Sequence, residues 1–358
     1  MSETVHRIAI IGCGRLGQHY AEAYSTYPDT EIVAIAEHNP DRRKVVGERF
    51  GVKALYPDVE SLLTDDVPDL AAIVTPTKYY KDAVIACAEA GVKGVSTDKP
   101  IAAILKDADE MVDACESRGI IFSGGNLQRA MSEVQEAARL IHKGEFGELI
   151  GAVVHRWSLE ISGGGCQQIS VLRLLADAEI EEVVAWGTPQ EVLDGATDEG
   201  LSIDGIFRLS NGIECPVFSG ETPYRGVDVW SNDSLIRWNW GPPDIYSGFD
   251  AQRRRVKVDY KYAPYRWSEF GYLTSAIRSF ISAVETGSKL AVSGHDLRQA
   301  LEVAIAAKYS AKWGNIPVKL PLEDRSLALY PRSYRWLGGD KSGLPQSIEE
   351  ASTFGKNG

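Results

Sequence analysis

His6-Arg7-Ile8-Ala9-Ile10-Ile11-Gly12-Cys13-Gly14-Arg15-Leu16-Gly17 is the stretch on which the fold turns. An apolar, β-branched run predicts a strand, and a helical pattern over about 14–26 follows the glycines. In this GxGxxG arrangement Gly12 permits a tight turn. Gly14 lets the backbone approach a pyrophosphate, and Gly17 lets helix and strand pack closely. The helix N-terminus offers free N–H groups and a favourable dipole to an anion. The spacing is weak evidence alone, but Glu37 closes the next predicted strand, 31–36, about 20 residues past Gly17, where a ribose-binding acid belongs. The loop residues Gly12, Gly14, Arg15, Leu16 and Gly17, with Glu37, therefore predict a dinucleotide site.

Glu37 also speaks to the nucleotide. A carboxylate accepts from both ribose hydroxyls and repels a 2′-phosphate, which favours NAD over NADP. Arg42 and Arg43 follow closely, either to compensate that charge or as a solvated first helical turn.

Outward from this unit the pattern repeats. Asn39 is the expected N-cap of a helix with Pro40 at its first position. A buried strand at 70–74 ends at Thr75-Pro76-Thr77, and a helix over about 80–90 stops at Gly91. Further strands are expected at 92–96 and 120–123. Strands alternating with helices predict a doubly wound α/β domain with a parallel sheet over 1–124. Beyond Gly147 the pattern changes. Strands are expected at 149–160, 181–187, 201–209, 213–219, 227–231, 235–240 and 255–260, with Ser210-Asn211-Gly212 as a hairpin signal. Connections this short predict a mainly antiparallel sheet. Helices over 268–286 and 296–313 complete an α+β domain, 125–332. The Gly- and Ser-rich stretch 333–358 reads as an irregular or partner-draped tail.

Composition narrows the partners. The 358 residues carry 38 Lys and Arg against 50 Asp and Glu, a net charge of −12. That disfavours a nucleic acid or an anionic membrane surface. No apolar run reaches the roughly 20 residues of a membrane span, and the start lacks a basic leader. The five cysteines form no CxxC pair; they read as reduced thiols in a cytoplasmic protein. No His or Cys spacing suggests a metal.

Taken together, several motifs resemble the glucose–fructose oxidoreductase / inositol dehydrogenase / MocA family. They are the glycine loop, Thr75-Pro76-Thr77, the run from Cys87 to Gly91, and Thr97-Asp98-Lys99-Pro100-Ile101-Ala102. Asn126 to Arg129, Gly144 to Gly151, Gly163-Gly164-Gly165 and the 268–321 region extend the likeness over nearly the whole chain. The resemblance implies an N-terminal Rossmann domain and a C-terminal domain with a large open sheet. It implies homodimers or homotetramers built through that sheet, and NAD(P)-dependent redox chemistry at a carbinol carbon of a hydroxylated small molecule such as a sugar or polyol. It places Lys99 beside nicotinamide and substrate, preceded by Asp98 where the family has glutamate.

The second family motif, Asp-x-Gly-x-His-x-x-Asp before an Arg-x-Leu helix, is altered. Aligning back from Leu172-Arg173-Leu174-Leu175 puts Gln167 in the histidine slot, Gly163 in the first aspartate slot and Ser170 in the second. Counting from the triple glycine instead puts Arg173 and Ile169 in the histidine and first aspartate slots. Neither register restores the pair. Glutamine bonds but cannot titrate, and a well-placed acid–base group contributes about 10²–10⁴-fold. Lys99 is the first candidate to take the proton, since burial beside a cationic ring disfavours its charged form. Tyr80 is the second, as a phenol donor, against ordinary packing between the domains. Gln167, Gln168, Asn126 and Gln128 form a candidate neutral wall for a hydroxylated substrate. His155 is expected on a strand face with Val153, Trp157 and Leu159, as a core histidine. The aromatic crowd from Trp230 to Trp267 reads as sheet core or subunit interface.

The expected activity is NAD-dependent hydride transfer on a sugar or cyclic polyol. The alternatives are transient use of tightly held NAD for elimination or hydrolysis, and a non-catalytic NAD or sugar sensor.

Overall fold

Strand β1 (His6–Ile11) lies at the centre of a parallel sheet, and its residues alternate between two hydrophobic layers. The computed structural model describes residues 4–125, 127–221, 223–264 and 271–337. The first half runs α1 (Arg15–Ser25), β2 (Thr30–Ala36), α2 (Pro40–Phe50), β3 (Ala54–Tyr56) and α3 (Val59–Asp65). It continues through β4 (Leu70–Ile73), α4 (Tyr80–Ala90), β5 (Gly94–Ser96), α5 (Leu105–Glu116), β6 (Ile121–Ser123) and α6 (Ser132–His142). The six strands are ordered β3-β2-β1-β4-β5-β6, the doubly wound arrangement. Asn39 caps α2 by accepting from the Asp41 and Arg42 N–H groups at 3.1 and 3.0 Å, and Gly91 ends α4 in the left-handed region, as expected. The short β3 and α3 and the longer α5 and α6 were not anticipated, nor was the strand Asp244–Phe249 described below.

The second half runs β7 (Gly151–His155), α7 (Gly165–Ala176), β8 (Ile180–Thr188), α8 (Gln190–Asp194), β9 (Ser202–Leu209) and β10 (Glu214–Val217). Then come β11 (Gly226–Trp230), β12 (Ser234–Trp238), β13 (Asp244–Phe249), β14 (Arg255–Val258), α9 (Gly271–Thr286), α10 (Gly294–Lys312), β15 (Val318–Lys319) and α11 (Ser333–Leu337). Nine strands form one sheet, β14-β13-β12-β11-β7-β10-β9-β8-β15. Its pairs are antiparallel except β10 with β7, which is parallel. Inward residues such as Val154, Phe207, Val217 and Val229 are fully buried with residues of α7 and α10. No helix among the described residues is long and apolar enough to cross a membrane. All five cysteines are free and buried.

Two features depart from the sequence reading. The strand expected over 149–160 ends at His155, because Arg156 takes a left-handed φ of 50° and the chain turns away. Trp157 and Leu159 therefore share no strand face with His155. His155 instead meets Asp228 at 3.3 Å, and Asp228 also binds Arg237 at 2.7 Å. Second, α9 lies far along the chain yet covers the first sheet. Its Leu273, Ile277, Phe280 and Ile281 pack in one cluster with Ile8, Ile10, Ile35, Leu70 and Ala72. The alternate residues of the same strands, Ala9, Ile11, Ala71 and Ile73, face the cluster that holds Val84 of α4 and Leu105 of α5. Of the tail expected over 333–358, Ser333–Leu337 is helical; the rest lies outside the described residues.

Candidate functional site

The glycine loop closes on the end of β4. Gly12 has φ +92°, and a Cβ there would lie 2.9 Å from the Thr75 backbone nitrogen. A Cβ at Gly17 would overlap the Gly12 carbonyl oxygen. Only glycine lets loop, helix and the Thr75-Pro76-Thr77 segment come this close. Arg15 and Leu16 open α1, whose first-turn N–H groups have no partner within the helix. Glu37 is withdrawn from solvent beside the loop. Its carboxylate accepts from the Cys13 and Asn39 N–H groups at 2.8 and 2.9 Å, with Arg42 Nη1 at 3.9 Å. Arg43 donates to the Glu37 carbonyl at 2.5 Å. Both arginines are thus drawn toward the acid rather than standing free as a solvated turn. A cradle that excludes any Cβ, a helix N-terminus and a buried acid fit a dinucleotide.

A second cluster begins past the end of β5. Thr97 and Asp98 are buried, and Lys99 Nζ lies 3.3 Å from Asp98 Oδ1. Opposite stand the 3-10 turn Gln128–Ala130 and α7. Gln167 Oε1 accepts from the Gln128 N–H at 2.7 Å. Gln168 spends both ends of its amide on main chain, accepting from Ser158 N–H at 3.2 Å and donating to the His155 carbonyl at 2.8 Å. Arg173, the other candidate for the histidine slot, is bound to Glu179 at 2.7 Å and Asp296 at 3.1 Å. Tyr80 is buried at the start of α4; burial, then the charge of Asp98, pushes its phenol well up, so its proton is held. Asn126 lies outside the described residues.

The cluster contains groups that sequence reasoning passed over. Tyr272, on α9, has its phenol pushed up by burial and by Asp98, and it faces the side chain of Gln128. Glu160 accepts from Arg335 Nε at 2.6 Å. Asp198 Oδ2 accepts from the Ser162 N–H at 2.6 Å, while its Oδ1 has no partner. Burial, reinforced by Glu160, raises the Asp198 carboxyl to about 6, against the opposing pull of the Ser162 bonds. The buried Cys166 thiol lies within reach of the charges of Lys99, Asp198, Glu160 and Arg335, which marks all four as neighbours. Nothing local in the sequence signals Arg335, which meets its partner only through the fold.

Known proteins share the sequence family and the fold. The model of an oxidoreductase family with an NAD-binding Rossmann fold matches residues 6–125. The chain is 30% identical over 242 residues to scyllo-inositol 2-dehydrogenase (NAD(+)) of Bacillus subtilis, covering 62% of this chain and 69% of that one. It is 26% identical over 325 residues to myo-inositol 2-dehydrogenase of Thermotoga maritima, covering 85% and 96%. The solved structure of levoglucosan dehydrogenase with NADH and levoglucosan superposes with a TM-score of 0.74 at 19% identity, over 89% of this chain and all of that one.

Proposed function

The chain belongs to the glucose–fructose oxidoreductase / inositol dehydrogenase / MocA family of NAD-binding oxidoreductases, and on that premise we propose that it oxidises or reduces a carbinol carbon of a sugar or cyclic polyol. One observation carries the reading: Lys99, beside Asp98 past the end of β5, lies within reach of Cys166 on α7, next to the Gln167 that binds the turn at Gln128. Gly12, Gly14, Arg15, Leu16, Gly17, Glu37, Thr75, Pro76 and Thr77 hold NAD, with Arg42 and Asp98 at its margins. When bound, NAD supplies the hydride acceptor. Lys99 meets the reacting oxygen: as the neutral amine it takes the hydroxyl proton in oxidation, and as the ammonium it returns a proton in reduction, with Asp98 positioning the side chain. Gln167 locks the turn at Gln128, which keeps the wall facing the substrate in position. The relatives named above act on inositols by their names, which supports the substrate class.

A homo-oligomer formed through the open face of the large sheet follows from its apolar side chains. Trp186, Ile206 and Phe218 stand exposed on neighbouring strands or at their ends. Five buried, unpaired thiols support a cytoplasmic setting.

The test is NADH formation at 340 nm across a panel of inositols, hexoses and pentitols. Substrate-dependent NADH supports the reading. Nucleotide that survives dialysis, with product formed but no net NADH, replaces it with transient redox chemistry. NAD binding with no product of either kind replaces it with a sensor.

A further inference from the structure

Glu160 and Arg335 are 175 residues apart in sequence, yet Arg335 Nε donates to Glu160 Oε1 at 2.6 Å. Glu160 sits on the turn between β7 and α7, and Arg335 on α11, which packs against the 3-10 turn Thr77–Tyr79 after β4. The pair therefore bridges the nucleotide domain and the sheet domain. The side chains are 6% and 24% exposed. Burying such a pair is favourable only if its remaining polar atoms find partners. Here they are left over: both terminal nitrogens of Arg335 and Oε2 of Glu160 bind nothing among the described residues. Arg335 also lies within reach of the Asp98 charge, and Cys166 feels both members together with Lys99.

Position 163 adds an independent observation. A Cβ on Gly163 would lie 2.5 Å from Glu160 Cδ, so the Glu160 carboxylate fills the space a side chain at 163 would need. In the register that puts Gln167 in the histidine slot, 163 is the first aspartate slot. The acid missing there is resupplied from three residues upstream.

We propose that Glu160 and Arg335 read two neighbouring hydroxyls of the substrate and thereby fix the reacting carbon against Lys99. One hydroxyl donates to Glu160 Oε2, and the other accepts from a terminal N–H of Arg335. Asp98, Lys99, Glu160 and Arg335 sum to zero charge, which suits a neutral diol better than an anion. The inference rests on the polyol reading above and makes α11 part of the substrate site.

The experiment uses the full chain, the inositol or sugar oxidised fastest, and its deoxy analogues. Arg335→Ala and Glu160→Gln are expected to raise KM about 10- to 100-fold, as for loss of a charge-assisted hydrogen bond. The change in kcat should be small and NADH affinity unchanged. Arg335→Lys should fall between, and added guanidinium should partly restore Arg335→Ala, which a purely structural role would not allow. Removing one hydroxyl from the substrate should cost the native protein as much as the substitution does, and cost the variant nothing further. Calorimetric titration of the same polyols into NADH-loaded protein separates the two readings. Polyol binding that weakens in both variants, without turnover, removes the oxidoreductase reading and keeps this one. Absence of polyol binding, or variants that bind and turn over like the native protein, overturns this one.

Discussion

Gln167 holds the backbone of Gln128: its Oε1 accepts the Gln128 N–H at 2.7 Å, joining α7 to the 3-10 turn Gln128–Ala130. The side chain that one of the two registers puts in the histidine slot is thus a structural anchor. Gln167→Ala leaves a buried N–H unsatisfied, at a cost of about 1–3 kcal/mol. Urea unfolding is expected to show that loss. The pH–rate profile should keep its shape, because an amide does not titrate.

Lys99 is the group proposed to meet the reacting oxygen. Lys99→Ala is expected to lower kcat by about 10²–10⁴-fold. NADH affinity, followed by nicotinamide fluorescence, should stay within about threefold, since Gly12 to Gly17 and Glu37 make the nucleotide site. Unchanged turnover would remove Lys99 from the mechanism.

Glu37 is the residue proposed to set the nucleotide preference. Glu37→Ser removes a carboxylate that repels a 2′-phosphate and leaves Arg42 and Arg43 beside the vacated position. NAD affinity is expected to fall about tenfold, roughly one lost charge-assisted hydrogen bond, and NADP affinity to rise. Parallel titrations with both nucleotides measure the ratio.

Asp198 makes stability depend on pH. Its carboxyl is raised from 3.8 to about 6, mainly by burial. The folded state therefore prefers the protonated acid. Stability is greatest below the unfolded value near 4 and falls as pH rises through the window up to about 6. The full loss is on the order of 3 kcal/mol. Asp198→Asn keeps an acceptor for Ser162 and cannot ionise. Urea unfolding should find it more stable than the native chain at pH 7.5 and equal to it near pH 4.

Trp186 and Ile206 are 45% and 43% exposed on the outer face of the large sheet. Light scattering is expected to find the native chain associated, as proposed above, and the variant with two charges placed there, Trp186→Glu with Ile206→Asp, monomeric. Far-UV circular dichroism should be unchanged.

The first βαβ unit was legible because each of its requirements is local: the glycines, the acid at Glu37 and the Asn39 cap all act within a few residues of their partners. The alternating strands of the second sheet were legible for the same reason. Strand 149–160 was over-read because alternation continues past His155, and nothing in the side-chain pattern reports the left-handed turn at Arg156. In the proposed site, Lys99 and Gln167 were reached through the family resemblance. Glu160, Asp198, Tyr272 and Arg335 were not, because each acquires its role from a partner brought in by the fold. The ion pair between Glu160 and Arg335 spans 175 positions with no periodicity to announce it.

The placement of α9 has a consequence for how the chain is made. Ile8, Ile10, Leu70 and Ala72 leave the ribosome early, but the layer that covers them, Leu273 to Ile281, is synthesised some two hundred residues later. The nucleotide domain therefore cannot close its core as it emerges, although domains commonly fold in order of synthesis. A fragment ending at residue 125, where the family match stops, would keep that sheet face wet and exposed to aggregation. Cut by sequence the chain has two consecutive halves, but in folding a helix made after the second sheet completes the first.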